Sequence, residues 1–185
     1  MTALTRNLRT KGSLITTIKN IGHAALCVLV TGVLIALGST SQADTFTYSD
    51  DDPLRLTVMT GRHSFSFSDG GLRGLPAESF STTTIWTEGT QHFTGVSVAW
   101  LLDYLDIDEG RLQLTAANAY QITIPVEELM TSKAILAYDR NGRPMTLRDK
   151  GPLWLVYPYD SGPEYQNEKI YANSIWQLED INVVP

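Results

Sequence analysis

Short segments with strand-like periodicity recur along most of the chain, and they constrain its fold more than any other feature. Apolar and polar residues alternate in five of them, over 54–60, 112–116, 119–124, 174–178 and 180–184. Such alternation is typical of half-buried β-strands. The segment 79–86 is rich in Thr, Phe and Ile, which also predicts a strand. The sequence therefore favours a mostly β fold.

Turn residues between these segments predict how the strands pair. Asn118 lies between two alternating segments, where a left-handed turn residue suits a β-hairpin. Asn141 and Gly142 lie between apolar runs at 134–138 and 145–147. Because Asn-Gly favours the tight turns that join antiparallel strands, a second hairpin is expected there.

One segment has helical periodicity instead. Apolar residues at 98, 101, 102 and 105 predict an amphipathic helix over 96–105, and Ser97 is a suitable N-cap. A single helical turn is expected over 126–130. The apolar run 153–157, bounded by prolines, predicts a strand covered on both faces.

Two segments are expected to interrupt this pattern. The glycines within 70–74 lack a strand-to-helix context, which favours a mobile loop over a phosphate-binding turn. Residues 87–90 are expected to break the strand over 79–86. The predicted fold class is α+β, mostly β, as a single domain over 44–185 with one main helix.

The first 43 residues have the pattern of a secretory signal. A basic start precedes the apolar block 24–38, and small residues at Ser41 and Ala43 suit cleavage after Ala43. An uncleaved anchor is the alternative, because the apolar stretch 21–38 reaches 18 residues. Both interpretations place the rest of the chain outside the cytoplasm, and the cleaved signal predicts a periplasmic protein.

Charge and cysteine content exclude several functions for residues 44–185. This part carries ten basic and twenty acidic side chains, a formal charge of −10, which argues against nucleic-acid partners. Cys27, the chain's single cysteine, lies in the apolar block of the predicted leader. The exported part therefore has no thiolate for a disulfide or a metal centre.

The remaining side chains offer little catalytic chemistry. His63 and His92 are far apart in sequence and have no partners at metal-ligand spacing. No Gly-x-Ser-x-Gly motif is present, and no spacing brings two carboxylates together as a glycosidase needs.

The four tryptophans are more informative. Trp100 and Trp154 lie within apolar runs and are expected in the core. Trp86 and Trp176 have polar neighbours, so either core packing or stacking on a flat heterocycle is open for them.

Three blocks together carry a resemblance to a known family. They span 82–102, 141–158 and 174–181, and with the segment 119–125 the similarity covers about residues 54–184. The chain resembles the sulfite-oxidase-type molybdopterin-binding fold. The resemblance implies one α+β domain built around a pterin cofactor.

The chain departs from the enzymes of that fold at the metal. Where they place a molybdenum-ligating cysteine, this chain has Thr82, Thr83 and Thr84, and Trp154 stands near the position of a family arginine. Hydroxyls do not replace a soft thiolate. The chain is similar to small cysteine-less periplasmic members that bind reduced pterins without metal.

The resemblance to these members implies a function. They are associated with inner-membrane cyclic-di-GMP enzymes, whose periplasmic domains they are thought to regulate. The implied function is therefore a non-catalytic periplasmic pterin-binding protein with no metal. The alternatives are a molybdopterin-dependent oxidoreductase and an adaptor domain with a degenerate pocket.

The aminopyrimidinone edge of a pterin suits a carboxylate acceptor, and its ring face suits an aromatic side chain. Glu88 and Asp160 are the carboxylates beside the matching blocks. A turn charge at Glu88 and an Asx turn at Asp160 are the competing interpretations. The other candidate ligand-binding residues are Thr84, Trp86, Tyr159, Asn173, Ser174 and Trp176.

Overall fold

The computed structural model of the chain describes residues 52–61 and 63–185. Its strands are β1 (Leu54–Thr60), β2 (His63–Ser68), β3 (Ala77–Thr84), β4 (Thr87–Ser97), β5 (Arg111–Ala116), β6 (Gln121–Pro125), β7 (Ile135–Arg140), β8 (Arg143–Pro144), β9 (Trp154–Val156) and β10 (Leu178–Val184). Its helices are α1 (Asp69–Arg73), α2 (Val98–Tyr104), α3 (Val126–Met130) and α4 (Glu168–Asn173). Short 3-10 turns lie at Leu147–Asp149, Tyr159–Ser161 and Pro163–Tyr165.

The predicted leader over residues 1–43 lies outside the described residues, so the leader and its cleavage stay predictions. Among the helices described, none is long and apolar enough to cross a membrane.

The strands form two five-stranded sheets. The first has the order β2-β1-β10-β5-β6, with β1 and β10 parallel and the other neighbours antiparallel. The second is antiparallel, in the order β3-β4-β7-β8, with β9 also paired to β7. With these sheets and four short helices in the described part, the predicted α+β, mostly β class is confirmed.

The second sheet contributes fully buried strand residues to the core. All three residues of β9 are buried, and Trp154 is 0% exposed, as its position in an apolar run predicted. Gly95 brings β4 and β7 close together, because a Cβ atom there would collide with the Leu136 carbonyl oxygen. A glycine is therefore required at this position of the β4–β7 pair.

Several elements agree with the sequence-based predictions. Helix α2 begins after Ser97, whose Oγ accepts a hydrogen bond from the Trp100 amide at 3.5 Å. Asn141 and Gly142 both adopt positive φ, 53° and 73°, in the turn between β7 and β8. This is the conformation that Asn-Gly hairpins favour.

The first predicted hairpin forms from β5 and β6, but its left-handed residue is Ala119 (φ 63°) and not Asn118. The reason is that Asn118 makes an Asx turn, in which its Oδ1 accepts a hydrogen bond from the Tyr120 amide at 3.0 Å.

Two interruptions predicted from the sequence are wrong. The glycine-rich segment is helix α1, because Ser68 Oγ caps it by accepting from the Gly71 amide at 3.0 Å. Residues 87–90 do not end the strand pattern, since β4 begins at Thr87 and pairs with β3. Local composition did not predict either result, because the cap and the strand partner supply the stabilisation.

Trp100 also differs from its prediction as a core residue. It is only partly buried, and its ring stacks on that of the exposed Tyr104 with centroids 5.1 Å apart. The i, i+4 spacing brings the two rings together on one face of α2.

Candidate functional site

Trp86 lies at the centre of an aromatic cluster at one end of the second sheet. It occupies the tip between β3 and β4, and four rings surround it edge-on. Centroid distances from Trp86 are 5.7 Å to Trp154, 6.1 Å to Tyr159, 6.0 Å to Tyr171 and 5.8 Å to Trp176. Edge-to-face pairs of this kind stabilise their arrangement beyond simple burial. Side chains from β9, the 3-10 turn Tyr159–Ser161, α4 and the segment before β10 therefore hold Trp86 in place.

A cleft of about 360 Å³ opens beside this cluster. We call it the aromatic cleft. Its lining residues are Trp86, Ala116, Asn118, Tyr120, Tyr171, Ala172, Ser174, Ile175 and Trp176. None of these side chains carries a charge, and the volume lies within the usual range of small-molecule sites. The cleft is suited to a flat, uncharged ring with a few polar atoms.

Ser174 is the buried polar residue of the cleft wall, and its hydroxyl is already engaged. The Tyr159 hydroxyl donates to Ser174 Oγ at 2.7 Å, and Ser174 Oγ donates to the Ile170 carbonyl at 2.7 Å. The Trp154 indole N–H donates to the Ser174 carbonyl at 3.2 Å. Burial raises the pKa of Tyr159 to about 12, which keeps this hydroxyl protonated as a donor. These bonds fix the wall of the cleft.

Asp160 does not line the cleft and binds the neighbouring strand instead. Its carboxylate accepts from the Thr83 amide and the Thr83 hydroxyl, both at 2.6 Å. The Asp160 amide in turn donates to Thr82 Oγ1 at 3.0 Å. The hydrogen bonds from Thr83 hold the pKa of Asp160 below its usual value. This arrangement, the Asp160 bracket, fastens the end of β3 to the 3-10 turn after β9.

The other predicted site residues lie in three different places. Thr84 closes the β3–β4 tip, where its hydroxyl is 2.8 Å from that of Thr87 and accepts from the Trp86 amide at 3.1 Å. Glu88 is exposed and does not line the cleft. Asn173 lines a separate groove together with Tyr157.

The structure thus brings Trp86, Ser174 and Trp176 together in the cleft, with Tyr159 behind its wall. Sequence reasoning missed Asn118, Tyr120 and Tyr171 as lining residues. The Asn118 turn signal marked the loop, but only the pairing of β5 with β10 brings that loop to Trp176.

Lys150 is the cation closest to the aromatic cluster in the described part of the chain. Its Nζ lies 4.0 Å from the Trp176 ring centroid and 5.5 Å from that of Trp154. A cation over an indole face at this range is attracted to the ring. Burial, together with the nearby Arg140, lowers the pKa of Lys150. Lys150 does not line the cleft, so it contacts Trp176 from outside.

Comparison with known proteins places this arrangement in a family. The family described as oxidoreductase molybdopterin binding domain matches residues 70–165, more than half of the chain. The chain belongs to this family. The match contains β4, β7 and β9 and the Trp86 tip, and it confirms the sulfite-oxidase-type fold that the sequence blocks resemble.

One solved structure of similar fold is the sulfane dehydrogenase SoxCD from Paracoccus pantotrophus. The likeness has a TM-score of 0.53 at 16% sequence identity, and it covers 74% of this chain and 39% of that chain. This chain therefore spans well under half of the SoxCD chain, and the likeness concerns the fold alone. No curated protein matches the sequence.

Membership of a molybdopterin-binding family raises the question whether these residues fit its cofactor. The aromatic cleft is compatible with a flat pterin ring. The metal does not fit, because Thr82, Thr83 and Thr84 stand where the resemblance places the cysteine ligand, and their hydroxyls already bond to Thr83, Asp160 and Thr87. Within residues 52–61 and 63–185, no group of His, Cys, Asp or Glu side chains is arranged to hold a metal.

Proposed function

We propose that this protein is a non-catalytic, periplasmic pterin-binding protein whose aromatic cleft takes a reduced pterin without metal. The uncharged cleft beside Trp86 and Trp176 is the observation that carries the proposal. Stacking of a flat heterocycle on an indole contributes about 1–3 kcal/mol on the scale measured for nucleic-acid bases. The Asn118 side-chain N–H groups are available to donate to an acceptor on the ring edge, since Asn118 Oδ1 already accepts from the Tyr120 amide.

The regulatory part of the proposal rests on the resemblance to the small cysteine-less members. In this view the protein binds one state of the ligand preferentially and passes that state to the periplasmic domain of an inner-membrane cyclic-di-GMP enzyme. A ligand that binds one protein conformation more tightly than another shifts the protein towards that conformation, and a partner can sense the shift. The predicted export signal supports the location, since it brings residues 44–185 to the same compartment as that domain.

The ligand proposal is tested with the exported protein and a tetrahydropterin, by native mass spectrometry and by quenching of tryptophan fluorescence. Tyr120→Ala is the informative variant, because Tyr120 lines the cleft and is 53% exposed, so its removal leaves the core intact. We expect it to weaken binding about fivefold to tenfold, as loss of one aromatic contact predicts.

Tyr104→Ala is the matched control, since Tyr104 is 60% exposed and packs on Trp100 away from the cleft. It should bind as the wild type does. Failure of the wild-type protein to bind any tetrahydropterin contradicts the proposal and favours an adaptor domain with a degenerate pocket.

A second candidate, an oxidoreductase that uses molybdopterin, is favoured by the family match over residues 70–165. The engaged hydroxyls of Thr82–Thr84 argue against its metal. Elemental analysis of protein made in a host that synthesises molybdenum cofactor separates the two candidates. The pterin-binding proposal expects no bound molybdenum, and one molybdenum per chain would overturn it.

A further inference from the structure

Positive charge is concentrated in one short segment of an otherwise acidic protein. Residues 44–185 have ten basic side chains, and four of them, Arg140, Arg143, Arg148 and Lys150, lie within eleven positions. We call these four residues the basic patch. Asp149 is the one acidic residue between 140 and 150, so the segment carries a net charge of +3 within a part of the chain whose total is −10.

The fold holds the patch in a defined shape. Arg140 and Arg143 face each other across the β7–β8 pair. The Gln177 side chain donates to the Leu147 carbonyl at 2.7 Å, and the Gln177 amide donates to the Lys150 carbonyl at 3.2 Å. These bonds tie the 3-10 turn to the segment before β10. The cations are therefore presented on a fixed scaffold and not on a freely moving loop.

The patch is open to a partner. Arg143 and Arg148 are exposed, and neither pairs with a carboxylate among the described residues. Arg140 lies 3.7 Å from Asp149, a long and partly exposed pair that is worth little. A groove of about 390 Å³ is lined by Arg140, Arg143 and Asp149, so two cations and one carboxylate face it. Beside these cations, Leu147 exposes 58% of its surface.

We propose that the basic patch is the docking surface for an acidic face of the protein partner, and that this contact lies directly beside the aromatic cleft. Charge complementarity supports this choice, because arginine forks recognise carboxylates and opposite charges steer association. Lys150 links the two regions, since its ammonium belongs to the patch and contacts Trp176 of the cleft. A partner seated on the patch therefore touches a residue that contacts the cleft wall.

A protein fits the patch better than an anionic bilayer does. A bilayer extends beyond four side chains, and the −10 charge of the exported part opposes its approach. A partner protein can carry an acidic patch that matches the size of the basic patch, without an extended negative surface around it. The exposed Leu147 beside the cations suits the mixed polar and apolar composition of protein interfaces.

The inference rests on the proposed function only for the partner's identity. Its test uses the exported protein and the purified periplasmic domains of the source organism's inner-membrane cyclic-di-GMP enzymes. The double substitution Arg143→Glu/Arg148→Glu reverses the charge of the two exposed arginines of the patch. Arg111→Glu/Lys133→Glu is the matched control, since both residues are exposed, lie outside the patch and change the net charge equally.

We expect one domain to bind, the patch variant to bind it at least about tenfold more weakly, and the control to stay within about threefold. Higher salt should weaken the wild-type complex. Equal binding of the wild type and the patch variant, or no binding by any domain, overturns the inference. Patch-dependent binding to phosphatidylglycerol vesicles without any domain binding assigns the surface to the membrane and overturns it too.

Tetrahydropterin binding by each variant separates the two proposals. The patch variant should keep its ligand, because its substitutions are outside the cleft. If the wild type binds a domain through the patch but binds no pterin, the ligand proposal fails and the docking surface stands.

Discussion

Two side-chain clusters in this protein are opposite in character. The charged cluster consists of Arg55, Asp69, Arg73 and Asp139, and the aromatic cleft surrounds Trp86. In the charged cluster all four carboxylate oxygens accept hydrogen bonds from guanidinium groups, at 2.7–3.0 Å. The aromatic cleft instead leaves ring surfaces beside an open volume of about 360 Å³.

The two clusters differ in whether their side chains are already paired with each other. Arg73 makes a bidentate contact to Asp139, and its guanidinium also lies 4.4 Å from the centre of the Tyr138 ring. The hydrogen bonds that Arg73 donates to Asp139 and Asp69 raise the pKa of Arg73. Burial alone would raise the pKa of Asp69, but hydrogen bonds from Arg73 and Arg55 lower it. Because these groups satisfy each other, the charged cluster holds α1 to neighbouring strands, and the proposed ligand site is the aromatic cleft.

Substitution of Trp86 has the largest expected effect and tests the cleft side of this contrast. Trp86→Ala removes four edge-to-face contacts, so we expect the free energy of unfolding to fall by about 3 kcal/mol. Tetrahydropterin affinity should fall at least about tenfold. Urea unfolding and fluorescence titration measure the two quantities.

We expect Trp86→Phe to stay folded, so it separates the proposed ligand contact of Trp86 from its packing role. It retains a ring at the β3–β4 tip, and it should lose less stability than Trp86→Ala while still weakening ligand binding. A Phe variant that binds tetrahydropterin as tightly as the wild type would show that Trp86 supports the core and does not contact the ligand.

Substitution of Arg73 tests the charged side of the contrast. Arg73→Met leaves Asp139 and Asp69 partly buried without their main partner, so we expect a loss of about 2–3 kcal/mol in the free energy of unfolding. Tetrahydropterin affinity measured below the unfolding transition should not change. Arg111→Met is the control, because Arg111 is exposed, and its effect should stay within about 0.5 kcal/mol. A ligand-binding defect in Arg73→Met would contradict the separation of roles, because it would show that the charged cluster also affects ligand binding.

Sequence patterns predicted local elements but not the charged cluster. Hairpin and helix signals such as Asn141-Gly142 and Ser97 are local, and the structure confirms the elements that they mark. The charged cluster was not predicted, because Arg73 and Asp139 are 66 positions apart and meet only when α1 packs near β7. The glycines within 70–74 predicted a loop where helix α1 forms, because the stability of α1 comes from the Ser68 cap and these ion pairs.

Composition also predicted only part of the candidate site. Polar neighbours marked Trp86 and Trp176 as possible ligand contacts, and both line the cleft. Adjacency to the matching blocks indicated Glu88 and Asp160, and the resemblance to the family's C-terminal pocket segment indicated Asn173. The structure places all three outside the lining. Sequence adjacency does not determine the direction of a side chain, and it did not predict that Thr83 would take both oxygens of Asp160. Strand β2 was missed as well, although His63–Ser68 alternates phenylalanine with serine.

The Asp160 bracket has the smallest expected effect and sharpens the boundary of the cleft. Asp160→Ala removes two hydrogen bonds to Thr83, but solvent reaches this carboxylate, so we expect a loss of only about 1 kcal/mol in the free energy of unfolding. Glu88→Ala is the matched control on an exposed carboxylate, and it should change nothing measurable.

The pKa of Asp160 in the folded protein is below its ordinary value of 3.8, so the stabilisation by Asp160 is present above that pH and is lost as the pH falls through the lower folded value. Urea unfolding of the wild type and Asp160→Ala between neutral and strongly acidic pH should therefore show a constant difference that disappears only in acid. A difference that persists in strong acid would mean that the carboxylate charge is not what holds Thr83, and the end of β3 would then owe its position to the aromatic packing around Trp86.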